Sequence, residues 1–379
     1  MAGRGARYGQ DSKIAAEMAA EEINALGGVL GREIRLLFSD DRSDPTTAVQ
    51  IAMRYVREEL ADFLMGVVSS AVALAITEVS RQSQVIFVGT DHASTALTVE
   101  QFQPCYFRVS NNTMQSMRAG AMYSSRRPWV TYFYIGPDYE YGHRQWRDFR
   151  TCLAALRPDV RFVGEAWPKL FEPDYAHYLE PILRAKPDVV VHGFWGGDTI
   201  AFTRQALAHR LFDVVRVVSF DAGGNYEVFE ALGEDMPEGL VLSARHHNNF
   251  PETELNRRYV RAFYSRAGRY PCYAAHGAYV GVQFIARALE KAGAAGDHRD
   301  FIAAAEGLAL KNPKDREGFT SWMRAVDHQM VQEQVIGVSQ RTGGFPPARC
   351  MLGGWTVLEA DRILPSEEEV VALRRAAAG

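Results

Sequence analysis

No run of apolar residues approaches the roughly 20 needed to cross a bilayer, so the sequence offers no transmembrane helix. A basic stripe is missing as well. Lys and Arg total 42 against 46 Asp and Glu, for a net charge of −4. No Lys/Arg run exceeds a few residues, and no basic helix carries interleaved aromatics, which excludes nucleic acid as a partner. Cysteine is scarce: Cys105, Cys152, Cys272 and Cys350 are scattered, without a C-x-x-C pair or a histidine at metal-ligand spacing. That excludes a zinc site. An even count is compatible both with disulfides in an oxidising compartment and with free buried thiols. The phosphate-cradling G-x-x-x-x-G-K-[ST] pattern is absent, and GVVSSAV is not a G-x-S-x-G nucleophile elbow. With no recognisable set of catalytic carboxylates, cysteines or histidines, the sequence points to neither an enzyme nor a cofactor. The first ten residues, MAGRGARYGQ, have no apolar core of a signal peptide.

What is present is ordinary globular composition, 47% hydrophobic and 23% charged, over 379 residues. That length accommodates two domains. Residues 11–26 place Ile14, Ala15, Met18, Ala19, Ile23 and Leu26 on one helical face, with Asp11 or Ser12 as cap and Gly27-Gly28 as stop. An apolar run (EIRLLFSDD) reads as a strand, Asp44-Pro45 opens a helix, and FLMGVV reads as a strand. A helix then begins near Ser69-Ser70, and VIFVG is the next strand. Such alternation specifies an α/β fold, a mostly parallel sheet flanked by helices.

The same grammar restarts after residue 111. WVTYFYIG, VRFVGEAW, DVVVHGFW and VVRVVSF are strands, each followed or preceded by a helical segment such as EYGHRQWRDFRTCLAAL. Two such sets imply two lobes. The beginning is irregular, because a doubly wound sheet starts with a strand that feeds its first helix, and only ten small or polar residues precede Asp11. Either the first lobe lacks its first strand or the sequence starts downstream of the natural start. Unpaired backbone in a buried layer is costly, which favours the second.

The segments ARYGQDSKIAAEMAAEEINALGGVLGREIRLLFSDDRSDPTTAVQIA, MGVVSSAVALAITEV, CYFRVSNNTMQSMRAGA, GPDYEYGHRQWRDF and SFDAGGNYEVFEALGEDMPEGLVLSARH, in this order, resemble the type I periplasmic binding proteins. The likeness is to the Leu/Ile/Val-binding branch that serves ABC importers, and it runs along nearly the whole chain. It implies two discontinuous lobes, 1–109 with 247–335 and 110–246 with 336–379. Three crossovers are expected near Arg108–Asn111, Ala244–Asn248 and Val335–Ser339. The ligand is expected at the C-terminal ends of the strands, with hinge closure around it.

Ser70, at a helix start, suits a carboxylate through its hydroxyl and the free amides there, or serves simply as a cap. The resemblance puts it on the position that grips the ligand carboxylate. It likewise aligns Asp91 and Ala93 with backbone and hydroxyl contacts, although Ala93 has no hydroxyl, which departs from a branched-chain amino acid site. Asp221 matches an acid that pairs with the ligand ammonium, or caps the following helix. Tyr141 and Trp195 match aromatic contacts, Tyr8 a loop reaching the cleft, and His276 a residue that packs on the ligand side chain. The reading that results is a periplasmic solute receptor that captures a small amino-acid-like ligand, an amide or an aromatic acid and delivers it to a membrane permease. A cytoplasmic sensor of the same fold is the alternative.

Overall fold

Strand and helix alternate through the middle of the chain in a computed structural model, which describes residues 5–293 and 297–378. The chain opens with α1 (Ala6–Ala25), α2 (Pro45–Arg57), β1 (Phe63–Gly66), α3 (Ser70–Ser83), β2 (Ile86–Gly89) and β3 (Tyr106–Arg108). Next come α4 (Thr113–Ser125), β4 (Thr131–Ile135), α5 (Glu140–Leu156), β5 (Arg161–Ala166), α6 (Ala176–Ala185) and β6 (Val189–His192). They are followed by α7 (Gly196–Ala208), β7 (Arg216–Ser219), α8 (Tyr226–Leu232) and β8 (Val241–Leu242). The remainder is α9 (Glu254–Ala267), α10 (Tyr273–Ala292), α11 (His298–Ala305), β9 (Ala309–Leu310), β10 (Ser321–Met323) and β11 (Met330–Val331). It ends with β12 (Gln334–Arg341), β13 (Cys350–Leu358), α12 (Ala360–Ile363) and α13 (Glu367–Ala378).

These elements form two units. Unit 1 comprises Met1–Asn112, Phe250–Gln332 and Pro365–Gly379, and unit 2 comprises Thr113–Asn249 and Glu333–Leu364. The chain therefore changes unit after Asn112, Asn249, Gln332 and Leu364, one more passage than the three expected. The expected third crossover, Val335–Ser339, lies inside β12, where Val338 pairs with Val241 of β8 and Gly353 of β13. Residues 365–379, expected in the second lobe, belong to unit 1. Arg374 is the reason: it donates to Thr98 O (2.9 Å) and Val99 O (3.2 Å) and lies 3.8 Å from the Phe102 ring centroid.

Unit 1 has a parallel sheet in the order β1-β2-β3 and a small antiparallel sheet, β11-β10-β9. Its core has three parts. Val88, Phe107, Phe284 and Met323 pack together, α1 meets α9 and α10 through Ala19, Phe263 and Ala278, and α2 and α3 meet through Ala52 and Val72. The α2 start behaves as its sequence dictates: Asp44 accepts the Thr47 N–H at 2.7 Å with Pro45 in the first turn, an N-cap with proline where no amide is needed.

Two expectations fail in this unit. The helix expected from residue 11 begins at Ala6, and Asp11 is a buried mid-helix residue. Its carboxylate accepts from Arg7 (2.8 Å), Arg269 (2.6 Å) and the Cys272 amide (3.0 Å), which ties α1 to the start of α10. The run EIRLLFSDD joins no ladder, and residues 33–41 carry no strand. Extended backbone becomes a strand only with a neighbour to pair with. Beside β1 there is instead a cavity of about 550 Å³, lined by Ile34, Leu36, Phe63, Met65, Val282 and Ile285 among others.

Unit 2 is a seven-stranded sheet, β13-β12-β8-β7-β6-β4-β5. The strands from β8 to β5 are parallel, and the long antiparallel pair β12–β13 finishes the other edge. Tyr132, Tyr134, Val191 and Val218 bury one set of side chains against Trp146 and Phe149 of α5. The α5 span coincides with the predicted one, residues 140–156. Among the described residues all four cysteines are free thiols, three of them buried.

Candidate functional site

Each unit gathers polar side chains where its parallel strands end, the edge at which open α/β sheets present loops and helix N-termini. In unit 1 this edge is made by the start of α3, the loop after β2 and the end of β3. Ser69 occupies the N-cap position with extended backbone but makes no side-chain capping bond, and Ser70 is the first helical residue. The Ser70 hydroxyl is thus not a cap. It accepts the Ser94 N–H at 3.2 Å, and the Ser94 hydroxyl in turn accepts the Ala96 amide. The first-turn amides of α3 have no partner within the helix, which makes its start receptive to an anion.

Beneath this loop lies Arg108, fully buried. It donates through Nη2 to Ser94 O (2.7 Å) and through Nε to Tyr106 Oη (2.9 Å), while Nη1 has no hydrogen-bond partner. Among the described residues no carboxylate pairs with it. Tyr106 Oη lies 2.7 Å from His92 Nε2, and His92 Nδ1 lies 3.1 Å from Val67 O. A proton on Nδ1 satisfies both ends, with Tyr106 donating to Nε2. Unit 1 therefore places an uncompensated buried cation next to Ser94 and Ser70.

Of the other predicted residues in this unit, Asp91 and Ala93 are buried in the loop after β2, on either side of His92. Asp91 also borders the cavity beside β1. Tyr8, expected on a loop, lies inside α1 and packs edge-on against Tyr273, with ring centroids 5.2 Å apart. His276 sits in α10 with Nε2 3.1 Å from Asn312 Oδ1 and its ring edge-on to Tyr259. The neighbouring Gly277 lets α10 press on the β2 loop, since a Cβ there would lie 1.9 Å from Thr90 O.

In unit 2 the edge is formed by the starts of α5 and α7 and the loop after β7. Tyr141, in the first turn of α5, donates its hydroxyl to Asp221 Oδ2 at 2.6 Å. Trp195, at the N-cap position of α7, donates through Nε1 to Tyr139 Oη at 3.0 Å, and Phe171 packs edge-on against its ring. Asp221 does not cap α8, because that position belongs to Asn225. It is fully buried and accepts Ser116 Oγ (2.8 Å) and Arg245 Nε (3.1 Å) on Oδ1, and Tyr141 Oη and Arg245 Nη2 (2.5 Å) on Oδ2. Burial pushes the Asp221 carboxyl up, but the Arg245 charge and these hydrogen bonds together hold it below its ordinary value. Gly223 fits this loop over β7, where a Cβ would lie 2.5 Å from Ser219 Cβ. Beneath it His192 is buried, with its pKa lowered to about 3 by desolvation.

The model of the family described as periplasmic binding protein matches residues 1–343. The chain belongs to that family. This periplasmic binding protein is 24% identical over 316 residues to the leucine-, isoleucine-, valine-, threonine- and alanine-binding protein of Pseudomonas aeruginosa, covering 83% of this chain and 82% of that one. It also resembles a solved amino acid ABC transporter substrate-binding protein from Pseudomonas fluorescens Pf-5, with TM-score 0.84, 21% identity, and 98% and 95% of the two chains covered. A solute-binding protein of an ABC transporter from Rhodopseudomonas palustris BisB5, solved with 3,4-dihydroxybenzoic acid, has TM-score 0.84, 20% identity and 95% of each chain covered. Family membership makes the chain a binding protein and not an enzyme, and the relatives it resembles include Leu/Ile/Val-binding proteins.

The sequence brought Tyr141 and Asp221 to attention, and they meet directly. Arg245, Ser116, Tyr139, Ser94 and Arg108 escaped it. Arg245 gave one usable signal: it is the cation in the extended SARHH segment after β8, within the expected second crossover.

Proposed function

We propose that this binding protein is the extracytoplasmic solute receptor of an ABC importer, capturing a small organic carboxylate and passing it to a membrane permease. Family membership supports the receptor role, as does the likeness to an amino acid ABC transporter substrate-binding protein. The observation that carries the carboxylate is the unit 1 edge. There, uncapped α3 amides, the Ser70 hydroxyl and the buried Arg108 charge surround Ser94. A carboxylate held by amides and a hydroxyl gains charge-assisted hydrogen bonds, and an unpaired buried cation lowers the cost of bringing an anion near. Unit 2 offers aromatic surface through Tyr139, Tyr141 and Trp195. Leucine, isoleucine, valine, threonine and alanine are what the Pseudomonas aeruginosa relative is named for, and a 3,4-dihydroxybenzoic acid complex exists on the same fold. Both ligand types carry the carboxylate.

Calorimetry against aliphatic and aromatic amino acids, their carboxylate analogues, hydroxybenzoates and the corresponding primary amides tests this reading. Carboxylates should bind and primary amides should not. Binding of the amides alone, or of nothing in the panel by a folded protein, defeats it.

A further inference from the structure

An ionised carboxylate offers about four lone-pair positions. Asp221 has four donors on them, two per oxygen, from Ser116, Tyr141 and both arms of Arg245. Asp221 and Arg245 are both buried, with side chains 0% and 5% exposed. The pair is neutral, bidentate and closed. An ammonium group seeking Asp221 would have to displace one of these donors. Displacing any of them breaks a hydrogen bond between two buried groups. Each such loss costs the stabilisation that the bond to a buried carboxylate supplies. An acid that is already saturated contributes no attraction to a cation beyond its own counter-ion.

We infer that Arg245 is a specificity-determining residue. By occupying Asp221 it turns what would be an ammonium pocket into a neutral one, and so selects solutes that carry a carboxylate but no ammonium, such as short branched aliphatic acids or aromatic acids. This rests on the solute-receptor reading above and narrows its ligand class. The aromatic side chains at the same edge suit an uncharged tail.

The test is titration calorimetry on the full chain with matched pairs: L-leucine against 4-methylpentanoate, and L-phenylalanine against 3-phenylpropanoate. The wild-type protein should bind the member without the amine at least tenfold more tightly in one pair or both. Arg245→Met frees Asp221 and should shrink or reverse that ratio, whereas the double variant Asp221→Asn/Arg245→Met, which has no free carboxylate, should keep the preference for the acid. Equal or tighter wild-type binding of the amino acids overturns the inference and leaves the receptor reading standing. An unchanged ratio in folded Arg245→Met also overturns it. If that variant does not fold, the wild-type pairs alone decide. Silence of the folded wild-type protein across both pairs and the wider panel overturns the receptor reading, and this inference with it.

Discussion

The two units carry buried arginines of opposite circumstance. Arg108 in unit 1 has no carboxylate and a nitrogen without a partner, whereas Arg245 in unit 2 is bound bidentately to Asp221. Similar burial and the same side chain leave one arginine without a carboxylate and the other held by one. What sets the polarity of each edge is therefore the partner and not the residue type. A sequence can show both arginines and still hide which one is paired.

Removing the cation from each side is the sharpest way to break this contrast. Arg245→Met leaves Asp221 buried and uncompensated, and should lower stability by about 3–5 kcal/mol. Denaturant unfolding measures it, and the double variant Asp221→Asn/Arg245→Met should recover much of the loss. Acid comes next. His192 has a folded pKa of about 3 against an ordinary 6.5, so the unfolded chain binds the extra proton first. Stability should fall as pH drops from about 6.5 toward 3, by up to roughly 1.4 kcal/mol per pH unit from this group, and His192→Gln should flatten that slope. The lowered Asp221 adds a loss only below about pH 4, since its stabilisation is complete above the unfolded value and disappears as pH falls through the folded one.

Arg108→Met strands no charge and forfeits two hydrogen bonds, so its cost should be smaller, about 1–3 kcal/mol. Equal costs for the two arginine variants would erase the distinction between the edges. The smallest effect on folding belongs to Ser70→Ala, about 1 kcal/mol for the lost Ser94 contact. If the hydroxyl also holds a carboxylate, calorimetry should show affinity falling by about 1.5–3 kcal/mol; unchanged affinity would remove Ser70 from the site.

Much of the architecture was legible because its signals are local. The α5 boundaries follow from its apolar periodicity, and α2 starts where Asp44-Pro45 places it. The failures are all matters of partnership. Residues 33–41 have the composition of a strand but no ladder to join, and Asp11 has the chemistry of a cap but is claimed by Arg7 and Arg269. Asp221 was legible as a buried acid at a strand end. Its saturation was not, because the donors come from Ser116, Tyr141 and Arg245, which lie 105, 80 and 24 residues away. Residues 365–379 went to the wrong lobe because what holds them, Arg374 on the Thr98 and Val99 carbonyls, spans 276 and 275 residues.

The four free thiols are divided evenly, Cys105 and Cys272 in unit 1 and Cys152 and Cys350 in unit 2. Burial raises the pKa of Cys105 and Cys350, so in the folded chain neither supplies much of the reactive thiolate. Their modification by a thiol reagent must wait for the surrounding structure to open. Half-buried Cys152 should react first and without such a delay. Once it is replaced by serine, the chain becomes its own pair of clocks: labelling at Cys105 and Cys272 times the opening of one unit, and labelling at Cys350 times the other.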